Sequence, residues 1–310
     1  MKAKFLFGVL TAVMLLTSNY VHAQIEGIDP ADEAIKQLVA DAENGDRTAQ
    51  FNLGNRYHDG QGVKQSYKKA VQWYEKAAAQ GFIYAQYNLG IAYQKGEGVK
   101  KDPAKAAEWF ALAAEQDYPN AQLNLGNAYF HGNGVEQDLE KAAYWYTKAS
   151  ENGVTSGSLN LANAYYFGNG VVQNYKHAFR LYQVCAEKNH PTAQLMLASC
   201  YEEGHGVGQD FSKAFEWYQK AAANGQKSAY NNMGRLLIEG KGVEQDIEAG
   251  LRCYDTAIAS GNLEALYNLS ILYYQGQGVP KDRKKAKKLM KQAADMGLEN
   301  AQYFLKHNKF

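Results

Sequence analysis

A short Gly-x-Gly-Val segment occurs seven times in this chain, and its spacing never varies. The copies begin at Gly60, Gly96, Gly132, Gly168, Gly204, Gly240 and Gly276, so successive first glycines stand 36 residues apart with no insertion or deletion. A fixed period of this size belongs to chains built from stacked supersecondary units, none of which can bury its apolar face alone. The period constrains the architecture more tightly than any local propensity does.

The flanks keep the same register. Before each break runs an apolar stripe spaced by four, as in Ala85, Leu89 and Tyr93 or Ala265, Leu269 and Tyr273, which keeps one helical face apolar. The residue after the leucine position is small (Gly54, Gly90, Gly126, Ala162, Ala198, Gly234, Ser270), as close approach of a second helix requires. Three residues past each valine comes Ser66, Asp102, Asp138, Asn174, Asp210, Asp246 or Asp282. Such side chains accept from the free N–H groups of a helix's first turn. Pro103 follows Asp102 at the first helical position, where a missing N–H costs nothing. The second helix then carries an alanine with an aromatic or leucine three residues on, as in Ala70 and Trp73 or Ala178 and Leu181. An Ala-Ala pair and usually a glycine close the unit, as at Ala77, Ala78 and Gly81, and that glycine suits a left-handed C-cap.

Each Gly-x-Gly-Val therefore reads as the turn of a helical hairpin, with glycines free to take positive φ and a valine plugging the end of the core. A phosphate-binding loop needs a strand before it and Lys-Ser or Lys-Thr after it; neither signal stands beside these segments. The fold class expected is all-α, a right-handed α/α superhelical solenoid of about seven 36-residue hairpins. Residues 46–299 make the seven repeats. Residues 24–45 make an N-terminal capping helix in the second-helix register, beginning near Asp29 and Pro30, and residues 300–310 a C-terminal one in the first-helix register.

Residues 1–23 have the marks of a secretory signal peptide: Lys2 and Lys4, an apolar run from Phe5 to Leu16, then Val21-His22-Ala23. Cleavage is expected after Ala23, which places the product in the periplasm or outside the cell. Loss of the two lysines takes the net charge from +1 to −1, which argues against a nucleic-acid binder. No later apolar run is long enough for a transmembrane segment.

Chemistry-bearing patterns dissolve into the repeat. Ser66 and Lys69 match the Ser-x-x-Lys of penicillin-interacting enzymes, yet Ser66 stands in the cap column and Lys69 in the column of Lys105, Lys141 and Lys213. No histidine among His58, His131, His177, His190, His205 and His307 pairs with another ligand at metalloprotease spacing. No catalytic residue, cofactor or metal is expected. Cys185, Cys200 and Cys253 fall on core columns and read as buried free thiols, or as one pair with a free thiol; Cys185 and Cys200 differ in distance from the turn between them. Lys281, Arg283, Lys284, Lys285, Lys287, Lys288 and Lys291 make the last repeat strongly basic, the usual look of a solvated capping face, with an anionic partner or lipid surface as the alternative.

The unit Ala-x-x-x-Leu-Gly-x-x-Tyr, Gly-x-Gly-Val, Asp-x-x-Lys-Ala-x-x-Trp-Tyr-x-x-Ala-Ala resembles the Sel-one-like repeat family, a branch of the tetratricopeptide superfamily. The resemblance covers essentially all of the chain after residue 23. It implies a non-enzymatic scaffold or adaptor, similar to exported members tied to envelope maintenance, signalling and host interaction. A cysteine-rich exported subgroup carries a disulfide in each repeat; this chain lacks those pairs. The resemblance also implies a concave face lined by first helices, which puts Tyr87, Asn127, Phe130, His131, Asn163, Tyr166 and Phe167 in a partner-binding groove. Asn offers a donor and an acceptor to an extended backbone, and Tyr and Phe offer rigid contact area. The expected partner is a protein or peptide segment. A peptidoglycan or other glycan stacked on the aromatic rings is the alternative.

Overall fold

A computed structural model describes residues 33–308; the predicted signal peptide, its cleavage point and the first residues of the predicted capping helix lie outside the described residues. Among the described residues there are sixteen α-helices and no strand. The chain divides into two compact units, one up to Val154 and one from Thr155. The first holds α1 (Glu33–Glu43), α2 (Arg47–Asp59), α3 (Tyr67–Ala79), α4 (Ile83–Lys95), α5 (Pro103–Glu115), α6 (Pro119–His131) and α7 (Leu139–Glu151). The second holds α8 (Thr155–Phe167), α9 (Tyr175–Glu187), α10 (Pro191–Glu203), α11 (Phe211–Ala223), α12 (Ala229–Glu239), α13 (Ile247–Ala259), α14 (Leu263–Gln275), α15 (Arg283–Asp295) and α16 (Glu299–His307). Within each unit a helix packs on those before and after it in the chain. The chain is a helical-repeat solenoid of seven hairpins.

The turn chemistry explains the break points. Gly60 ends α2 in the left-handed region at φ 72°, its N–H returning to the Arg56 carbonyl. Every residue of the polar column caps its helix: Ser66, Asp102, Asp138, Asn174, Asp210, Asp246 and Asp282 each accept from the first turn at 2.8–3.3 Å. The backbone N–H of the same residue closes the hairpin onto the first helix, as from Asp102 to the Tyr93 carbonyl at 2.9 Å. Where the closing glycine is replaced, Asp117 and Asn189 take its positive φ, 61° and 60°; these short polar residues tolerate that region best after glycine.

The second glycine of the turn has a different task. A Cβ on Gly98 would lie 2.3 Å from the carbonyl oxygen of Tyr67, and one on Gly206 2.2 Å from that of Tyr175. These turns, like those at Gly134 and Gly242, rest directly on the backbone that opens the previous repeat's second helix, whereas Gly278 meets the Ile247 side chain there. The small residue after the leucine admits a ring: a Cβ on Gly90 would meet Phe110 at 2.4 Å and one on Gly126 would meet Tyr146 at 2.7 Å. The turn valine is less of a plug than its pattern suggests. Val63 is buried, but Val99, Val135, Val171, Val207, Val243 and Val279 are half-buried.

Between repeats the core is partly polar. Gln50, Gln86, Gln122 and Gln194 are buried. Each donates to the carbonyl eight residues back, at 3.1–3.5 Å. Each also accepts from an amide 30 residues on (Gln80, Gln116, Asn152, Asn224) at 2.7–3.0 Å. A buried amide satisfied at both ends fixes register between successive helices within each unit at little net cost.

All three cysteines are free thiols, Cys185 and Cys200 buried and Cys253 half-buried. Burial, with Glu203 nearby, pushes the Cys200 thiol up to about 12, and burial raises Cys185 and Cys253 as well. Thiolate is the reactive form. A thiol reagent at mildly alkaline pH is therefore expected to label Cys253 slowly in the native protein and Cys185 and Cys200 only after denaturant is added. Prompt native labelling of Cys200 contradicts this packing.

Candidate binding crevice

Where a turn reaches back to the preceding repeat, as at Gly98 and Gly134, it borders a gap between successive first helices. In the first unit this gap is open, a crevice of about 400 Å³. Its floor is Tyr74, whose hydroxyl donates to Asn55 Oδ1 at 2.7 Å. Burial pushes that phenol up to about 12, so it stays a neutral donor. Tyr87 forms a wall. The mouth carries His58, 2.6 Å from Asp59 and 3.8 Å from Glu97, with Lys95 3.6 Å from Glu97. The Tyr67 ring meets His58 edge-on at 5.2 Å. An apolar throat of tyrosines under a polar, slightly acidic mouth suits a side chain of a bound peptide. The next gap, about 260 Å³, is lined by Gln94, Pro103, Phe110, Asn124 and Asn127.

The seven predicted groove residues fall into local groups. Tyr87 packs on Tyr118 at 4.9 Å and on Phe110 at 5.9 Å, and burial raises its phenol. Asn127 accepts from the buried Tyr146 hydroxyl at 2.9 Å. The Phe130 ring meets His131 at 5.0 Å and Tyr146 at 6.4 Å; Phe130 is half-buried and His131 exposed. In the second unit Asn163 accepts from the buried Tyr182 at 2.7 Å. Tyr166 donates to Glu203 at 2.8 Å and lies 2.9 Å from His205 Nδ1. Burial and the Glu203 charge both raise its phenol. Phe167 is 58% exposed and meets the Tyr166 ring at 4.9 Å. Tyr175 stacks on His205 at 4.1 Å. The residues equivalent to the crevice mouth thus pack on one another here.

Tyr67, on a second helix, and Glu97, in a turn, lie outside the first helices on which the groove was expected. Their signal was present in the period: Tyr67 and Tyr175 share one column, and Glu97 and His205 another. The Ser66–Lys69 pair is structural. Ser66 Oγ accepts from the Lys69 N–H, and the Lys69 ammonium sits 5.1 Å above the Tyr57 ring, as Lys105, Lys141 and Lys213 sit over Tyr93, Tyr129 and Tyr201. Among the described residues no group of three or more His, Cys, Asp or Glu is placed to hold a metal ion, and no helix is long and apolar enough to cross a membrane.

A helical-repeat solenoid is an architecture typical of protein-interaction scaffolds, and the family follows from the repeats. Sel1 repeats match at residues 48–82, 83–118, 119–154, 156–190, 191–226, 227–262 and 263–298, so the chain belongs to the Sel1 repeat family. It is similar to c5321, a protective antigen present in uropathogenic Escherichia coli strains and displaying an SLR fold, with 34% identity over 95% of this chain and a TM-score of 0.77. The chain spans 64% of that protein's length. A Sel1 repeat protein from Oxalobacter formigenes is 32% identical over 94% of this chain and 86% of its own, with a TM-score of 0.69. No curated protein matches the chain.

Proposed function

We propose that the protein is a non-enzymatic exported scaffold that binds a segment of a partner protein across its first helices, in envelope maintenance, signalling or host interaction. The crevice between α2 and α4 carries this reading: an open throat with Tyr74 and Tyr87 below and His58, Asp59, Lys95 and Glu97 at the mouth. Its polar groups stand at the rim, where they select a partner, and its aromatic area lies inside, where a side chain is desolvated. Residues 1–23 support export. The description of the E. coli relative as a protective antigen is consistent with a surface or exported role. The predicted residues Tyr87, Asn127, Phe130, His131, Asn163, Tyr166 and Phe167 belong to this reading as further contacts.

Affinity capture followed by titration with the captured partner tests it. Tyr67→Ala with Glu97→Ala is expected to weaken binding roughly thirtyfold, the equivalent of about 2 kcal/mol at a hot spot. Glu75→Ala, on the exposed side of α3, leaves binding unchanged. Equal binding by all three proteins contradicts the assignment. The exposed Phe167 ring also offers a sugar a stacking platform; sedimentation with protease-treated peptidoglycan, lost in Phe167→Ala, would favour a glycan ligand instead.

A further inference from the structure

The last hairpin of the second unit carries a concentration of charge found nowhere else in the chain. Seven of the chain's 33 Lys and Arg stand between residues 281 and 291, with one acid, Asp282, among them. The Asp282 carboxylate is engaged in capping α15, accepting from the Lys285 N–H at 2.9 Å. Two of the seven bases are engaged as well. Lys285 donates to the Tyr273 hydroxyl at 2.6 Å and lies 3.9 Å over that ring, and Arg283 lies 5.6 Å from the centre of the Tyr274 ring. Lys284, Lys287, Lys288 and Lys291 are exposed, and no ion pair to any of them is formed among the described residues.

Helix geometry arranges these lysines. α15 buries Ala286, Met290, Ala293 and Ala294. At 3.6 residues per turn, Lys284, Lys288 and Lys291 fall on the opposite face in one stripe about 10 Å long, with Lys287 beside it. Asp295, at its far end, is the stripe's one acid. The α15–α16 segment also leaves Met296 54% and Tyr303 66% exposed.

From these features we infer that the outer face of α15 docks the protein on an anionic lipid surface. The stripe stands on the outside of a helix, with side chains free to reach a plane of phosphates. Lysine supplies compact point charges on flexible stems, without the rigid fork by which arginine pairs with one carboxylate. A net charge of +1, or −1 without Lys2 and Lys4, lacks the broad basic surface of a nucleic-acid binder. Clusters of four or more bases act on anionic bilayers at about 1 kcal/mol per residue. Without a lipid chain or long apolar face the docking is reversible and weakened by salt.

Sedimentation of the protein, purified from its producing cells, with vesicles of equal parts phosphatidylglycerol and phosphatidylcholine tests this. The wild type is expected to bind these vesicles, to ignore phosphatidylcholine alone, and to release in high salt. K284Q/K288Q/K291Q should bind about a hundredfold more weakly, three lysines at roughly fivefold each. K64Q/K68Q/K100Q, which removes three exposed lysines elsewhere, should bind as the wild type does. Undiminished binding by the first variant overturns the inference, as does equal loss in the second. Binding to polyglutamate or DNA in place of vesicles also overturns it.

Discussion

Gly98→Ala is expected to lower stability by roughly 3 kcal/mol or more, an unusually large loss for adding one methyl group to a turn. Two costs combine. At φ 73° any Cβ costs about 1–2 kcal/mol. That Cβ would also lie 2.3 Å from the Tyr67 carbonyl oxygen and 2.7 Å from the Lys68 nitrogen, and these are backbone atoms that no rotamer change can withdraw. The turn must lift off the previous repeat, which opens the gap beneath it. Gly81→Ala separates the two costs: its φ is 75°, yet its Cβ would meet nothing within 4 Å. Urea unfolding followed by circular dichroism should show Gly81→Ala losing only the smaller amount. Equal losses in the two variants would mean that the turn does not bear on its neighbour.

Arg235→Met should destabilise by about 2–3 kcal/mol. In the second unit Arg235 pairs with Glu202, a carboxylate only 15% exposed that also accepts from the buried Tyr218 hydroxyl at 2.8 Å. Breaking a buried pair by removing one partner typically costs 3–5 kcal/mol because the other charge stays desolvated. Arg235 is itself 29% exposed and 3.5 Å from Glu239, so solvent reduces the figure. Adding Glu202→Gln removes the stranded charge and keeps an acceptor for Tyr218. The double variant is therefore expected to recover most of the loss in the same unfolding experiment. A double variant no more stable than Arg235→Met would show that the cost lies in packing around the arginine stem.

What the sequence discloses and what it hides divide along a physical line. A 36-residue period and 3.6-residue stripes report which face of each helix is buried, so Leu89, Gly90, Asp102 and Pro103 could be assigned roles from spacing alone. The same patterns do not report which polar groups meet across repeats. Gln122 looks like a surface residue until the Ala114 carbonyl and the Asn152 amide are seen on either side of it. Asn127 and Asn163 read as groove residues, and the structure has their carbonyl oxygens holding the tyrosines of the second helices. Tyr67 and Glu97 stand 30 residues apart, on a second helix and in the following turn. Only the backward lean of that turn, set by Gly98, puts both at the crevice mouth.

The most direct test of the scaffold assignment is amide hydrogen exchange on the protein with and without its captured partner. Added protection is expected at the end of α2 around His58, at the start of α3 around Tyr67 and across Tyr87–Glu97, and none along the outer face of α15. Protection confined to the exposed sides of the second helices, with His58 and Glu97 exchanging as in the free protein, would contradict it.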